Sequence, residues 1–278
     1  MSEQRSADAR VDKVRAARAR EVDGAPGVEL GIDTASNDAS LALLLGERVL
    51  AERRWRIAST LARELLAELD RLLVTGGVTR EELARVAVVV GPGAYTALRT
   101  GVATAQGLAL ALDVPLAGVS RLEADALPHL DGPLARGGRP VVAVHDAGRG
   151  RLAWAAYAAP EAPGAPPREL VAPRPDDAAG CAAAAPADAL WCGESTEELR
   201  TALTATGRPL ASADEAHASG DVECRSATGA LRLARLHAAF GDPALVDAVY
   251  LRPPPITRPR AAAQNPAAAG GTAEAVKK

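Results

Sequence analysis

Aromatic residues are scarce in this chain: one Phe, three Tyr and three Trp among 278 residues, although 48% of the residues are hydrophobic. A core of that composition has to be filled with Ala, Val and Leu, and the length suffices for one large domain or two lobes. Lysine is scarce beside arginine, and alanine is abundant, a bias that carries little functional information. A net charge of −3 excludes a broad basic face for nucleic acid and leaves room only for a local patch. Cys181, Cys192 and Cys224 show no CxxC spacing, so they read as free thiols of a reduced compartment and not as a metal site. The four histidines, 129, 145, 217 and 237, include no pair four residues apart. The N-terminus is charged where a signal peptide is apolar. The most apolar helical stretch, Val102 to Leu112, carries Gln106 and is too short to cross a bilayer. These absences predict a cytoplasmic chain with no membrane association.

What is present centres on residues 86–112. An apolar β-branched run, VAVVV, meets GPGAYTALRTG, and an Ala- and Leu-rich helical stretch follows. Gly91 and Gly93 permit backbone angles that other residues resist. Thr96 is positioned as an N-cap, with Arg99 one turn further on. Two readings stand: a plain turn, or an anion site formed by converging amides at a helix start. The loop is neither a Walker A sequence nor a G-x-G-x-x-G fingerprint. A second feature is an Asp at the end of a buried strand. Asp33-Thr34 closes Val28 to Ile32, and Asp146 closes Pro140 to Val144 with His145 between. The candidate anion or nucleotide residues are therefore Asp33, Thr34, Gly91, Gly93, Thr96, Arg99 and Asp146. For Asp33 and Asp146 the preferred reading is as caps of their own turns, with the ligand role second.

Residues 1–27 alternate Arg, Ala, Asp and Glu without an apolar face, which predicts a disordered extension. The folded part opens with a strand and a hairpin, Ser40 to Leu45 and Val49 to Trp55. An amphipathic helix from Ser59 to Val74 follows, stopped by Gly76-Gly77. Thr79 and Glu82 make a capping box. After the central strand, loop and helix come a strand at Asp113 to Val119 and a helix at Ser120 to Leu130, with Ser120 and Glu123 as its capping pair. A second half restarts after Gly137-Gly138 with strand, Asp, turn and strand (Leu152 to Ala158). A proline-rich connection at 159–169 and a low-complexity Ala stretch to Ala187 come next. Ala189 to Cys192 reads as a strand and Ser195 to Ala205 as a helix, with Ser195 as N-cap and Glu198 at N3. Arg225 to Phe240 is a closing helix and Ala248 to Leu251 an edge strand. The predicted division is 1–27, an N-terminal lobe at 28–136, a C-terminal lobe at 137–252, and a Pro/Ala-rich disordered tail at 253–278.

On the helix after the glycine loop, Ala97, Gly101, Ala105 and Leu108 lie along one side and Thr104, Gly107 and Ala111 along another. No charge interrupts the run between Arg99 and Asp113. Small residues allow close packing, either within the lobe or on a partner helix.

Three ordered segments, GIDTASNDASLALL, GPGAYTALRTGVATAQGLALALDVPLAGVSRLEA and VVAVHDAGRGRLAWAAY, together with AVYLRP at 248–253, resemble the TsaB (YeaZ) family in order and spacing. The resemblance spans roughly Val28 to Pro253 and is weakest from 159 to 224. It implies an α/β, actin-like and hexokinase-like ATPase-type (ASKHA) fold of two related lobes. It further implies a non-catalytic role in making threonylcarbamoyladenosine beside the tRNA anticodon. In that family the chain pairs with and activates a TsaD-like transferase, joined by a TsaE-like ATPase, and meets tRNA through the complex. The pairing helices belong to the first lobe, which carries the interface role onto Leu61, Leu65, Leu69, Ala97, Gly101, Ala105 and Leu108. No catalytic residue and no metal ligand is assigned to this chain. No cofactor is expected to bind it tightly, with ATP expected at the level of the complex. The sequence departs from the family's loop at Ala94, Tyr95 and Ala97 and from its turn at Gly148 and Arg151. Two other readings remain: an autonomous phosphotransferase or hydrolase using Asp33 and Asp146, and a homodimeric binding module.

Overall fold

The computed structural model describes residues 27–57, 60–130, 138–207 and 227–251. Residues 1–26 of the predicted N-terminal extension and the whole C-terminal tail lie outside them, as does Cys224. Among the described residues nine strands form two sheets. The first holds β1 (Val28–Asp33), β2 (Asp38–Leu45), β3 (Arg48–Arg56), β4 (Leu83–Gly91) and β5 (Leu116–Ser120) in the order β3-β2-β1-β4-β5. The second holds β6 (Val141–Asp146), β7 (Leu152–Ala158), β8 (Arg168–Asp176) and β9 (Leu190–Gly193) in the order β8-β7-β6-β9. In both, the opening strand pairs antiparallel with the next and parallel with a later one. The sheets are repeats of one plan.

Period-two alternation places the core. Leu30, Ile32, Leu41, Leu43, Val86 and Val88 face helices α1 (Leu61–Gly76) and α2 (Tyr95–Leu112). Ala42, Leu44, Ala87, Val89, Ala117 and Val119 point to the other face. That face is covered by α3 (Arg121–Leu130) and, beyond the second sheet's helices, by α6 (Ala227–Leu236). In the second sheet Val142, Val144, Trp154 and Ala156 meet α4 (Ala178–Ala184) and α5 (Glu197–Ala205). Val141, Ala143, Ala155 and Tyr157 meet Leu122, Ala126 and Leu130 of α3. Helix α3 is thus shared, with Ala124 and Leu127 on the first sheet and the rest on the second. The closing helix, predicted with the C-terminal lobe, packs on the first sheet. Gly31 permits this, because a Cβ there would meet the Ala227 carbonyl oxygen at 2.3 Å.

Several local expectations are corrected. Asp113 ends α2 in a left-handed conformation (φ 57°), and β5 starts only after Pro115. Thr96 lies inside α2, whose N-cap is Ala94. Thr196, not Ser195, caps α5 by accepting from the Leu199 N–H at 3.3 Å. Glu123 does not cap α3: it is buried and lies 2.7 Å from His237 Nε2. Burial raises its carboxyl above the usual range, and the His237 contact opposes this. The capping pair at Thr79 holds, with the Thr79 N–H donating to Glu82 Oε2 at 2.7 Å. Strand β8 replaces the end of the expected proline-rich connection and the start of the expected low-complexity stretch, and it carries Pro173 and Pro175. It lies at the sheet edge, where a missing N–H is tolerated. Ala248 to Leu251 forms no ladder and contributes one backbone bond, Val249 N–H to the Val90 carbonyl at 2.8 Å.

Candidate functional site

A cleft of about 640 Å³ opens between the two lobes. One wall consists of the turn after β1 (Ala35 to Asn37), the loop Pro92 to Tyr95, and the segment Val249 to Leu251. The other consists of His145 to Arg149, Pro175 and Glu194. Both turns are built the same way. Asp33 Oδ1 accepts from the Ala35 N–H at 2.9 Å, and Asp146 Oδ1 accepts from the Gly148 N–H at 2.8 Å. The two aspartates therefore cap their own turns, as one of the two sequence readings has it. Asp33 is 1% exposed and outside the cleft lining, whereas Asp146 is exposed and lines it.

The glycine loop is shaped by the chain's own contacts. A Cβ at Gly93 would meet the Ala35 carbonyl oxygen at 2.3 Å, and one at Gly91 the Val249 oxygen at 2.6 Å. Each glycine admits another backbone segment. Thr34 is fully buried and its hydroxyl donates to the Ala97 carbonyl at 2.8 Å. A Cβ at Gly101 would meet Thr34 Oγ1 at 2.1 Å. Gly101 and Ala105, placed on a partner face by the sequence reading, are buried within the lobe, as are Leu61, Leu65 and Leu69. Ala97 and Leu108 pack partly buried against the same core. The residues turned outward are others: Leu66 and Val74 on α1, and Ala103, Gly107, Leu110 and Ala111 on α2. Helical periodicity identified the stripe, and its direction depended on which face the sheet took.

The sequence reading missed the floor of the cleft. Arg121, 1% exposed at the start of α3, donates to the Ala35 carbonyl at 3.0 Å and to Glu194 Oε1 at 2.5 Å. His145 Nδ1 lies 2.7 Å from both Arg121 Nη1 and Glu194 Oε2. The Asp146 N–H donates to Glu194 Oε2 at 3.2 Å. One guanidinium thereby ties the turn of the first lobe to the strand ends of the second. Burial pushes the Glu194 carboxyl up, but the His145 contact and the Arg121 charge outweigh it and hold the group at about 2. Being depressed, this group adds stability above its unfolded value and loses it as pH falls from about 4.5 towards 2. At full weight the displacement is worth about 3 kcal/mol; with the side chain 43% exposed, screening reduces that to about 1–2 kcal/mol. Urea unfolding of Glu194→Gln and wild type is expected to differ by that amount at pH 7 and to converge towards pH 2. A constant difference across the range would refute the assignment.

Nor did the sequence reading foresee the rim. Arg99 Nε donates to the Tyr250 hydroxyl at 3.0 Å, and its guanidinium lies 4.4 Å from the Tyr95 ring centroid. The two tyrosine rings are 4.8 Å apart. Arg99, predicted at an anion loop, thus serves an aromatic cluster.

Two repeated strand–Asp–turn–strand lobes with a shared helix and a cleft between them define the actin-like, hexokinase-like ATPase-type fold. A family model described as TsaD, tRNA N6-adenosine threonylcarbamoyltransferase, matches residues 56–203, just over half of the chain. The tRNA threonylcarbamoyladenosine biosynthesis protein TsaB of Bacillus subtilis is 32% identical over 130 residues, 46% of this chain and 54% of that protein. Its Escherichia coli counterpart is 34% identical over 129 residues, with the same shares. The chain thus spans about half the length of the curated relatives it matches. YeaZ from Pseudomonas aeruginosa superposes with a TM-score of 0.63 at 25% identity, covering 81% of this chain and 100% of that one. The chain belongs to the family that the TsaD model describes, and the relatives named above are TsaB (YeaZ) proteins.

Proposed function

We propose that this chain is a non-catalytic subunit of the machinery that makes threonylcarbamoyladenosine in tRNA, pairing with and activating a TsaD-type transferase. The observation that carries the reading is the outer surface of α1 and α2. Leu66 (54% exposed), Val74 (82%) and Leu110 (58%) stand out of it, with the exposed small residues Ala103, Gly107 and Ala111 beside them. Both helices pack on one face of the first sheet, so these side chains share one side of the lobe. An apolar surface with small residues, crossed on α1 by the exposed Asp70, suits an antiparallel helix pair from a second protein of the same fold. The sequence carries no H-x-x-x-H pair, which supports placing the chemistry on that partner. A TsaE-type ATPase and tRNA join through the pair, with ATP acting at the level of the complex.

The test is light scattering after size exclusion of this chain mixed with the TsaD-type protein of the same organism. A one-to-one complex, with threonylcarbamoylation of tRNA requiring both chains, is the expected result. Separate peaks and no stimulation would overturn it, as would a homodimer that refuses the second protein. Among the described residues no helix is long and apolar enough to cross a membrane.

A further inference from the structure

One nitrogen in the floor of the cleft faces two partners that make opposite demands on it. His145 Nδ1 lies 2.7 Å from Arg121 Nη1 and 2.7 Å from Glu194 Oε2. A guanidinium only donates and an ionised carboxylate only accepts. Nδ1 therefore serves the first with a lone pair or the second with a hydrogen, never both at once. The two bonds also differ in what they join. His145 sits near the end of β6 and Glu194 follows β9, so a bond between them stays within the second lobe. Arg121 opens α3, and its Nη1 also donates to the Ala35 carbonyl at 3.0 Å, so its contact with His145 helps to tie one lobe to the other. The guanidinium has a further carboxylate within reach on its own helix: buried Asp125, whose Oδ2 lies 3.5 Å from Arg121 Nε. The site therefore supports two arrangements that differ by one proton on His145.

We propose that His145 is a proton-operated latch between the lobes. Neutral, its Nδ1 accepts from Arg121 and holds the cleft walls together; protonated, it donates to Glu194, releases Arg121 and lets the cleft open. Histidine is the side chain whose charge ordinarily changes between about pH 5 and pH 8. The imidazolium would set a second positive charge 2.7 Å from the guanidinium, where the side chains are 13% and 2% exposed and solvent screens little. Burial pushes the Glu194 carboxyl up, but the His145 contact and the Arg121 charge hold it at about 2, so it is ionised in both arrangements. Arg121 then keeps Glu194 only in competition with the imidazolium, and Asp125 draws the displaced guanidinium back onto its own helix. The other charged groups around His145 do not compete for Nδ1. Asp146 and Arg149 are exposed on the turn that follows it, and Arg174 and Asp176 on β8 pair with one another at 3.2 Å. Across the cleft stand Asp33, buried in the facing turn, and Tyr95 and Tyr250 at the rim. Protonation thus exchanges a contact between lobes for one within a lobe, the two-state element that a pH-sensitive device needs.

The experiment pairs nitrogen NMR of the full chain, isotopically labelled at histidine, with a distance measured between the lobes. Spin labels on Asn37→Cys and Ala172→Cys, both exposed positions, report that distance in a background of Cys181→Ala, Cys192→Ala and Cys224→Ser. The His145 Nδ1 resonance is expected to be that of a bare ring nitrogen at about pH 8 and of a protonated one at about pH 5.5. Over the same range the label distance should lengthen. His145→Gln, which does not titrate, is expected to abolish the response. His237→Gln removes the histidine that lies 2.7 Å from Glu123 on the same helix α3, and should leave the response in place. Circular dichroism at each pH identifies any loss of fold. If His145→Gln unfolds, Glu194→Gln takes its place: without the carboxylate that favours the imidazolium, the response should move to lower pH. An Nδ1 that carries a hydrogen throughout this range would overturn the latch, as would a distance indifferent to pH. So would a response that persists undiminished in His145→Gln, or one that stays at the same pH in Glu194→Gln.

Discussion

Arg121→Met is expected to lower the unfolding free energy by about 3 kcal/mol, read from urea denaturation at pH 7. The side chain is 1% exposed, donates to the Ala35 carbonyl and to Glu194, and lies 2.7 Å from His145 Nδ1, so it touches three separate segments. Methionine fills much of the volume, so the loss is one of charge and donors and not of packing. Glu194 then keeps only the His145 contact and the Asp146 N–H, and the Ala35 carbonyl loses its donor. Arg121→Lys is expected to recover less than half of the loss. An ammonium is a point charge, and a planar fork is what reaches acceptors on both lobes at once. A second readout separates this from ordinary destabilisation: protease cleavage at the turns Ala35 to Asn37 and Ala147 to Gly150 should accelerate in Arg121→Met more than global unfolding explains. Equal stability of wild type and Arg121→Met would show that the guanidinium is not the tie between the lobes.

Why Arg121 escaped the sequence reading is instructive, because its helix did not. Ser120 and Glu123 supply an N-terminal signature, and a helix over Ser120 to Leu130 is expected where α3 lies. An arginine at the first turn of a helix reads as solvated, since a single-helix view cannot show that both faces of α3 are covered. Glu123 has the same history, drawn away from capping by His237, which lies 114 residues downstream. The Asp33 and Asp146 turns were legible because their partners lie two residues away in the sequence. Gly101 shows the converse. Its smallness was correctly noticed, but what it admits, the Thr34 side chain, comes from a turn 67 positions earlier and only the fold brings the two together. Tyr250 likewise joins Tyr95 and Arg99 only through the path of the last described segment across the first sheet. Local chemistry was readable, and contacts closed by the fold were not.

Charge placed on the outer face of α1 and α2 is the sharper test of the subunit reading than any change in the cleft. Leu110→Glu and Leu66→Glu are each expected to weaken binding to a TsaD-type partner about 100-fold or more, because a carboxylate would be left unpaired in an apolar contact. Both positions are more than half exposed, at 58% and 54%, so the lone chain should lose little stability. Gly101→Leu behaves differently: the added side chain strikes Thr34 inside the lobe, and any failure to pair would follow from a damaged monomer. Thermal unfolding of the three variants sorts these cases, with Leu110→Glu and Leu66→Glu near wild type and Gly101→Leu well below it. Partner affinity by surface plasmon resonance then decides. If both Glu variants pair as tightly as wild type, the proposed contact lies elsewhere on the lobe. If they lose the partner and keep the fold of the lone chain, the pairing face lies on the outward sides of these two helices, apart from the cleft, which is built on the turns at the strand ends.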